Sequence, residues 1–350
     1  MPSERVIKVG ILGATGTVGQ RFIVLLSNNP RFEIHTLGAS DRSAGRLYPH
    51  AANWKLSEKL PNNVTTLHVK RCVPEDFVGC DIIFSEKSFM EANFPVFSNA
   101  KNYRMYDTVP LVIPTANPEH FAVVGQQRKE FNLNRGFIIT NSNCSVTGTA
   151  VVLKALQLSF GPIKKAMVTT MQAISGAGYP GVASLDIMDN VVPFIGGEEE
   201  KIEKELAKIL GAVSSDNLTI QSDSQLVVSA SCNRVPVIDG HTSSVSIEFA
   251  SDEKPSIDQI KVCLSEYRTM AQQLGCHSAP EQAIIVFEEE DRPQPRLDRM
   301  KDNGMAVSIG RIRECPMLDF KFTILIHNTI LGAAGASILN AEIAAETGLI

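Results

Sequence analysis

The apolar positions of this 350-residue chain fall into two rhythms. In the first half, mainly apolar segments of strand length recur at residues 6–12, 32–38, 81–85, 95–99 and 137–139. Helical spacing follows some of them, as at Phe22, Leu25 and Leu26. Strands that alternate with helical stretches predict a parallel, doubly wound sheet. In the second half, residues 166–175 and 229–237 read as strands, and residues 243–249 alternate as a strand with one buried face. Residues 198–206 open a charged helix whose acidic first turn suits the helix dipole. Residues 239–242 read as a turn, which Arg234 and His241 would flank.

The first strand leads into Gly13-Ala14-Thr15-Gly16-Thr17-Val18-Gly19 and then a helix. In that context a glycine turn lets the backbone approach a pyrophosphate, and the helix N-terminus supplies donors. The spacing is G-x-x-G-x-x-G. The end of the second strand carries Ser40, Asp41, Arg42 and Ser43. An acidic residue there suits a free ribose 2′-hydroxyl, whereas arginine and hydroxyls suit a 2′-phosphate. Ser40, Arg42 and Ser43 tilt the balance toward NADP(H).

Cys144 lies in Thr140-Asn141-Ser142-Asn143-Cys144-Ser145-Val146-Thr147-Gly148, between the strand at 137–139 and a helix predicted from Thr149. A thiol at a strand-to-helix turn is expected to have a lowered pKa, and the free N–H groups would stabilise charge on a reacting oxygen. The polar neighbours argue against a cysteine buried in an apolar core. The nucleophilic and the structural readings both stand at this point.

Composition narrows the classes. With 44% hydrophobic and 20% charged residues, the chain is an ordinary globular protein long enough for two domains. A net charge of −5 gives no reason to expect nucleic acid or an anionic membrane as partner. No apolar run reaches spanning length. Seven scattered cysteines without metal-type spacing suit a reducing compartment, so a cytoplasmic enzyme with no metal is the expectation.

Taken in order, the glycine turn, Asn143-Cys144-Ser145, Gln172-Ala173-Ile174-Ser175-Gly176, Glu199-Glu200-Lys201 and Asn233-Arg234-Val235-Pro236 with Gly240-His241 form a specific set. The chain resembles the aspartate-β-semialdehyde dehydrogenase family, particularly its fungal and archaeal branch. The resemblance runs nearly end to end. It implies NADPH-dependent reductive dephosphorylation of L-4-aspartyl phosphate to L-aspartate 4-semialdehyde, in the pathway to threonine, methionine and often lysine.

It also implies roles. Cys144 would attack the acyl phosphate, with His241 as general acid/base helping to form the thiolate, and Gln172 would orient the acyl intermediate. Arg234 would grip the substrate carboxylate and Glu199 its ammonium. Arg104, Lys201 and Asn143 would bind phosphate. Gly13, Thr15, Gly16, Thr17 and Val18 would form the pyrophosphate turn, and Ser40, Arg42 and Ser43 the 2′-phosphate site. Ser85, Gly178 and Asn328 would complete the cofactor site. The fold implied is an N-terminal Rossmann-type domain, 1–143 with 328–350, and a mixed α+β catalytic and dimerisation domain, 144–327. A C-terminal helix from Gly332 to Glu346 would pack back on the first domain. A homodimer or homotetramer is expected.

One departure stands out. After Ser85 the chain leaves room for barely two helical turns before the next strand, about ten residues fewer than the family pattern. Weakened NADPH binding is the expected consequence. A malonyl-CoA-type acyl reductase and a catalytically impaired paralogue are the competing readings.

Overall fold

The computed structural model describes residues 5–84 and 87–350. Ser85, and with it the start of the short connection, lies outside the described residues. Six parallel strands among the described residues form the first sheet. They are β1 (Ile7–Ile11), β2 (Phe32–Ala39), β3 (Val69–Arg71), β4 (Ile82–Phe84), β5 (Pro95–Ser98) and β6 (Phe137–Thr140). Their order is β3-β2-β1-β4-β5-β6, the doubly wound order that opens a crevice where it reverses between β1 and β4. Helix α1 (Thr17–Ser27) follows β1 and buries Phe22, Ile23 and Leu26 against the sheet. Among the described residues a short helix, Lys87–Glu91, lies between β4 and β5.

Strand β6 passes directly into helix α2 (Cys144–Phe160). The helix begins five residues before the sequence pattern suggests. Asn143 caps it, accepting the Ser145 N–H at 2.8 Å, so polar residues that read as a loop are its first turn. Those neighbours are buried as well: Asn141, Ser142, Ser145 and Thr147 are each 2–3% exposed. Hydrogen bonds compensate the burial of Asn141 and Ser142. Asn141 donates to Ala333 O, and Ser142 Oγ lies 3.0 Å from Thr147 Oγ1.

The second sheet is mixed. Its strands are β7 (Ile163–Gln172), β8 (Val227–Arg234), β9 (His241–Phe249), β10 (Ile284–Val286), β11 (Val307–Glu314) and β12 (Phe320–Ile326), in the order β8-β7-β9-β12-β11-β10. Helix α3 (Glu198–Ile209) packs with α2 on one face, which buries Ile202, Leu206 and Ile209. The apolar side chains of that face contribute about 1.5–3 kcal/mol each on burial. Gly148 lets α2 approach closely: a Cβ there would lie 2.7 Å from Ile326. The other face of β7 and β8 exposes Met167, Met171 and Val227.

The C-terminal helix α4 (Gly335–Glu346) follows a turn of π-helix over Ile330–Ala334. Ala334 of that turn and Ile338, Ala341 and Ala344 of α4 join the core of the first sheet, so the chain end packs back on that sheet.

Candidate active site

Strand register assembles the reactive cluster. β8 runs parallel to β7 and places Arg234 opposite Gln172. β9 runs antiparallel on the other side of β7, with Thr242 opposite Met171. Gln172 therefore sits between Arg234 and His241, which straddle β7 rather than flank a simple hairpin. Helix α2 delivers Cys144 to the same end of the sheet, and its Sγ lies 3.3 Å from His241 Nε2. Close packing makes this possible. A Cβ on Gly332 would lie 2.9 Å from Cys144 Cβ, and one on Gly176 would come within 2.8–3.0 Å of Arg234 and His241.

The backbone of Ala173 serves both neighbours, through the two peptide groups on either side of its Cα. Its N–H donates to His241 Nδ1 at 3.1 Å, and its carbonyl accepts from Arg234 Nη1 at 2.8 Å. Asn328 ties the loops around the histidine: its Oδ1 accepts the Gly240 N–H, and its Nδ2 donates to Ser175 Oγ.

On the far side of Cys144, helix α3 presents a row of charged groups. Glu198 accepts from Asn143 Nδ2 at 2.9 Å and Lys201 Nζ at 2.6 Å, and it lies 3.5 Å from Gln172 Nε2. Glu205 accepts from Arg104 Nη1 at 2.9 Å and from the Asn143 N–H at 2.6 Å. One turn on, Lys208 Nζ donates to the carbonyls of Arg104, Tyr106 and Val109 at 2.6–3.0 Å, fastening the segment that carries Arg104.

The carboxylate in this cluster is Glu198, not Glu199. The Glu199 carboxylate turns to β8 and accepts the Cys232 N–H at 3.0 Å. Helix phase separates the two: Glu198 shares the buried face with Ile202 and Glu205, four and seven residues on. Glu205 and Lys208, absent from the sequence-based site, lie along the same face.

Electrostatics at Cys144 also differ from expectation. Burial, reinforced by Glu198, pushes the thiol up to about 11 and outweighs the opposing effects of Arg104, Arg234 and the Ser145 side chain. Burial, with Arg234 and His327 adding to it, pushes His241 down to about 3. Both shifts favour a neutral thiol beside a neutral imidazole.

Next to the cluster lies a cleft of about 460 Å³ at the switch point of the first sheet. Gly13, Thr15, Gly16, Thr17, Val18 and Gly178 line it, as do Lys55 and Tyr179. Gly13 is held at φ 66°, in the left-handed region that glycine adopts without strain. A Cβ on Gly19 would lie 2.3 Å from Gly13 O, so glycine there lets α1 start tight against the turn. No side chain caps α1 at Gly16, which leaves its N-terminus to an anion. These features fit a dinucleotide pyrophosphate. Ser40 and Arg42 are exposed and Ser43 half-buried on the loop after β2, off the wall of the cleft. Asn328 is not on the wall either; it acts on the loops described above.

Among known families, residues 8–124 match the semialdehyde dehydrogenase NAD-binding domain, and residues 153–331 match the semialdehyde dehydrogenase dimerisation domain. The chain belongs to the semialdehyde dehydrogenase family. Within that family it is 58% identical to the aspartate-semialdehyde dehydrogenase of Schizosaccharomyces pombe, covering 98% of this chain and 99% of the relative. It is 46% identical to the enzyme of that name from Methanothermobacter thermautotrophicus, over 97% of this chain and 99% of that one. The crystal structure of the Candida albicans enzyme with NADP superposes with a TM-score of 0.91 at 51% identity, covering 99% of this chain and all of that one. The alignment to the fission-yeast dehydrogenase is 355 positions long, more than the 350 residues here, so that relative carries residues this chain lacks.

Proposed function

We propose that this protein catalyses the NADPH-dependent reductive dephosphorylation of L-4-aspartyl phosphate to L-aspartate 4-semialdehyde, a step toward threonine, methionine and lysine. The observation that carries this reading is the Cys144 Sγ–His241 Nε2 contact of 3.3 Å, set between a cationic and an anionic substrate anchor. Cys144 attacks the acyl carbon and forms a thioester. Bound NADPH supplies the hydride that reduces it.

Arg234 holds the substrate α-carboxylate, and Glu198 rather than Glu199 receives its ammonium. Gln172, between them, orients the acyl group. Arg104, Lys201 and Asn143 hold the phosphate. An anchor for a carboxylate and one for an ammonium favour an amino-acid substrate over a CoA thioester. Gly13, Thr15, Gly16, Thr17, Val18 and Gly178 hold the cofactor, joined by Lys55. Ser40, Arg42 and Ser43 face a 2′-phosphate from outside the cleft.

The chain is taken to act as a homodimer in the cytoplasm, with domains at 1–143 plus 328–350 and at 144–327. The exposed side chains Met167, Met171 and Val227, continuous with a matched dimerisation domain, support pairing with a second copy through that sheet face. Seven free cysteines suit a reducing compartment. Among the described residues no helix is long and apolar enough to cross a membrane.

The test is phosphate-dependent reduction of NADP with aspartate semialdehyde, run beside NAD and beside malonyl-CoA-dependent NADPH oxidation. Activity with semialdehyde and NADP that vanishes in Cys144→Ala is expected. Turnover of malonyl-CoA alone, or a clear NAD preference, would overturn the assignment.

A further inference from the structure

Gln20, in α1, is wholly buried beside the dinucleotide cleft, and its amide joins two segments of the chain. Nε2 donates to Thr15 O and to Asn53 O, each at 3.0 Å, and Oε1 accepts the Lys55 N–H at 2.8 Å. Two backbone acceptors and one backbone donor thus converge on a single side chain, and only a primary amide of this length answers both kinds. A glutamate carboxylate would set its oxygens against two carbonyl oxygens. A methionine would fill the same space and bond to none of the three.

The two segments differ in what else holds them. The glycine turn has supports of its own. The Ala14 N–H donates to Gly38 O, the Gly16 N–H to Gly13 O, and the buried Tyr48 hydroxyl to Ala14 O at 2.7 Å. Residues 52–61, by contrast, form neither helix nor strand, so side chains rather than a ladder hold them. Arg21, the next residue of α1, pairs with Glu58, whose carbonyl accepts the Trp54 indole N–H at 2.7 Å. Loss of the Gln20 amide would therefore leave the turn in place and release the backbone of Lys55.

Lys55 is the one cation among the described residues on the wall of the cleft, which it shares with Gly13, Gly16 and the uncapped start of α1. Its ammonium rides on a flexible four-carbon stem, so the charge is placed only as well as the backbone beneath it. We propose that Gln20 is a positioning residue for cofactor binding: it registers Lys55 with the glycine turn, so that the ammonium and the helix N-terminus serve the same dinucleotide phosphates. The proposal rests on the dinucleotide reading of the cleft.

The test is a double-mutant cycle on NADPH affinity, read by fluorescence titration of the free enzyme without substrate. Gln20→Met and Lys55→Met should each raise the Kd by about tenfold, the scale of one hydrogen bond to a charged group. The double variant should fall well short of the roughly hundredfold rise that independent sites would give. A buried side chain that only supports the fold would keep its effect after Lys55 is gone. A rise of about a hundredfold in the double variant, or of less than about twofold in Gln20→Met, would overturn the proposal. Hydrogen exchange resolved to the Lys55 amide of the wild-type chain needs no variant to fold. Protection well above that of an open loop is expected there, and exchange at the rate of an unstructured chain would refute the link. A wild-type chain that binds no NADPH would overturn the cofactor assignment and the proposal together. Independent effects on a chain that does bind it overturn the proposal alone.

Discussion

The Asn143 backbone N–H donates to Glu205 Oε2 at 2.6 Å, so the carboxylate that holds Arg104 also holds the residue preceding the nucleophile. This links the proposed phosphate anchor to the N-terminus of α2 through one buried side chain. Glu205→Gln would leave the Arg104 guanidinium without its counter-ion and turn an amide NH₂ toward one of two donors. A stability loss of about 3 kcal/mol is expected in urea denaturation at pH 8, with a higher KM for phosphate in semialdehyde oxidation. A loss below about 0.5 kcal/mol with unchanged KM would mean that the link carries nothing.

Gly176 is required by its neighbours rather than by its backbone angle. Its Cβ would sit 2.8 Å from Arg234 Nη1 and 2.9 Å from His241 Cε1. Gly176→Ala should displace one of these groups by a few tenths of an ångström or more and lower kcat/KM by about 100-fold. The melting temperature should change little, since the site lies at the end of the sheet. Circular dichroism and steady-state kinetics on the same preparation check both parts.

Lys55 is the one charged side chain among the described residues lining the dinucleotide cleft, and its Nζ lies 4.2 Å from the centre of the Tyr179 ring. Lys55→Met should raise the KM for NADPH by about tenfold and leave kcat within about twofold, the pattern of lost uniform binding. Tyr179→Phe keeps the ring face and should stay near wild type.

Three buried histidines set an acid limit on stability. Burial holds His120 and His327 down to about 4 and His241 to about 3, against an ordinary 6.5. Below 6.5 the unfolded chain binds protons that the folded one refuses, so the unfolded state gains. The contribution is complete above pH 6.5 and is lost as pH falls toward 4 and then 3. At about pH 5 the loss is on the order of 2 kcal/mol per histidine. Urea denaturation at pH 8, 6.5 and 5 should show little change over the first step and a steep fall over the second.

How much of this is legible in the sequence depends on the kind of signal. Strand β6 is fully buried and shows as an apolar run, and β1 and β2 are mainly apolar despite Lys8, Glu33 and His35, so the parallel sheet can be read directly. The glycine turn and the strand-to-helix position of Cys144 are local, and they too can be read. Glu198 and Glu199 are harder to tell apart, because four charged residues stand in a row and only the helical phase set by Ile202, Leu206 and Ile209 separates them. Lys55 lies in an irregular stretch with no period to mark it. The direction of the Cys144 pKa shift cannot be read locally at all. It depends on burial by β9, α3 and the C-terminal turn, which are remote in sequence.

The account stands on a thioester at Cys144, and one experiment observes it. Enzyme mixed with aspartate semialdehyde and NADP in the absence of phosphate should give a burst of NADPH close to one per active chain. The Cys144 peptide should then carry an aspartyl mass, and inorganic phosphate should discharge it. No burst, or an acyl group found on a residue other than Cys144, would contradict the account.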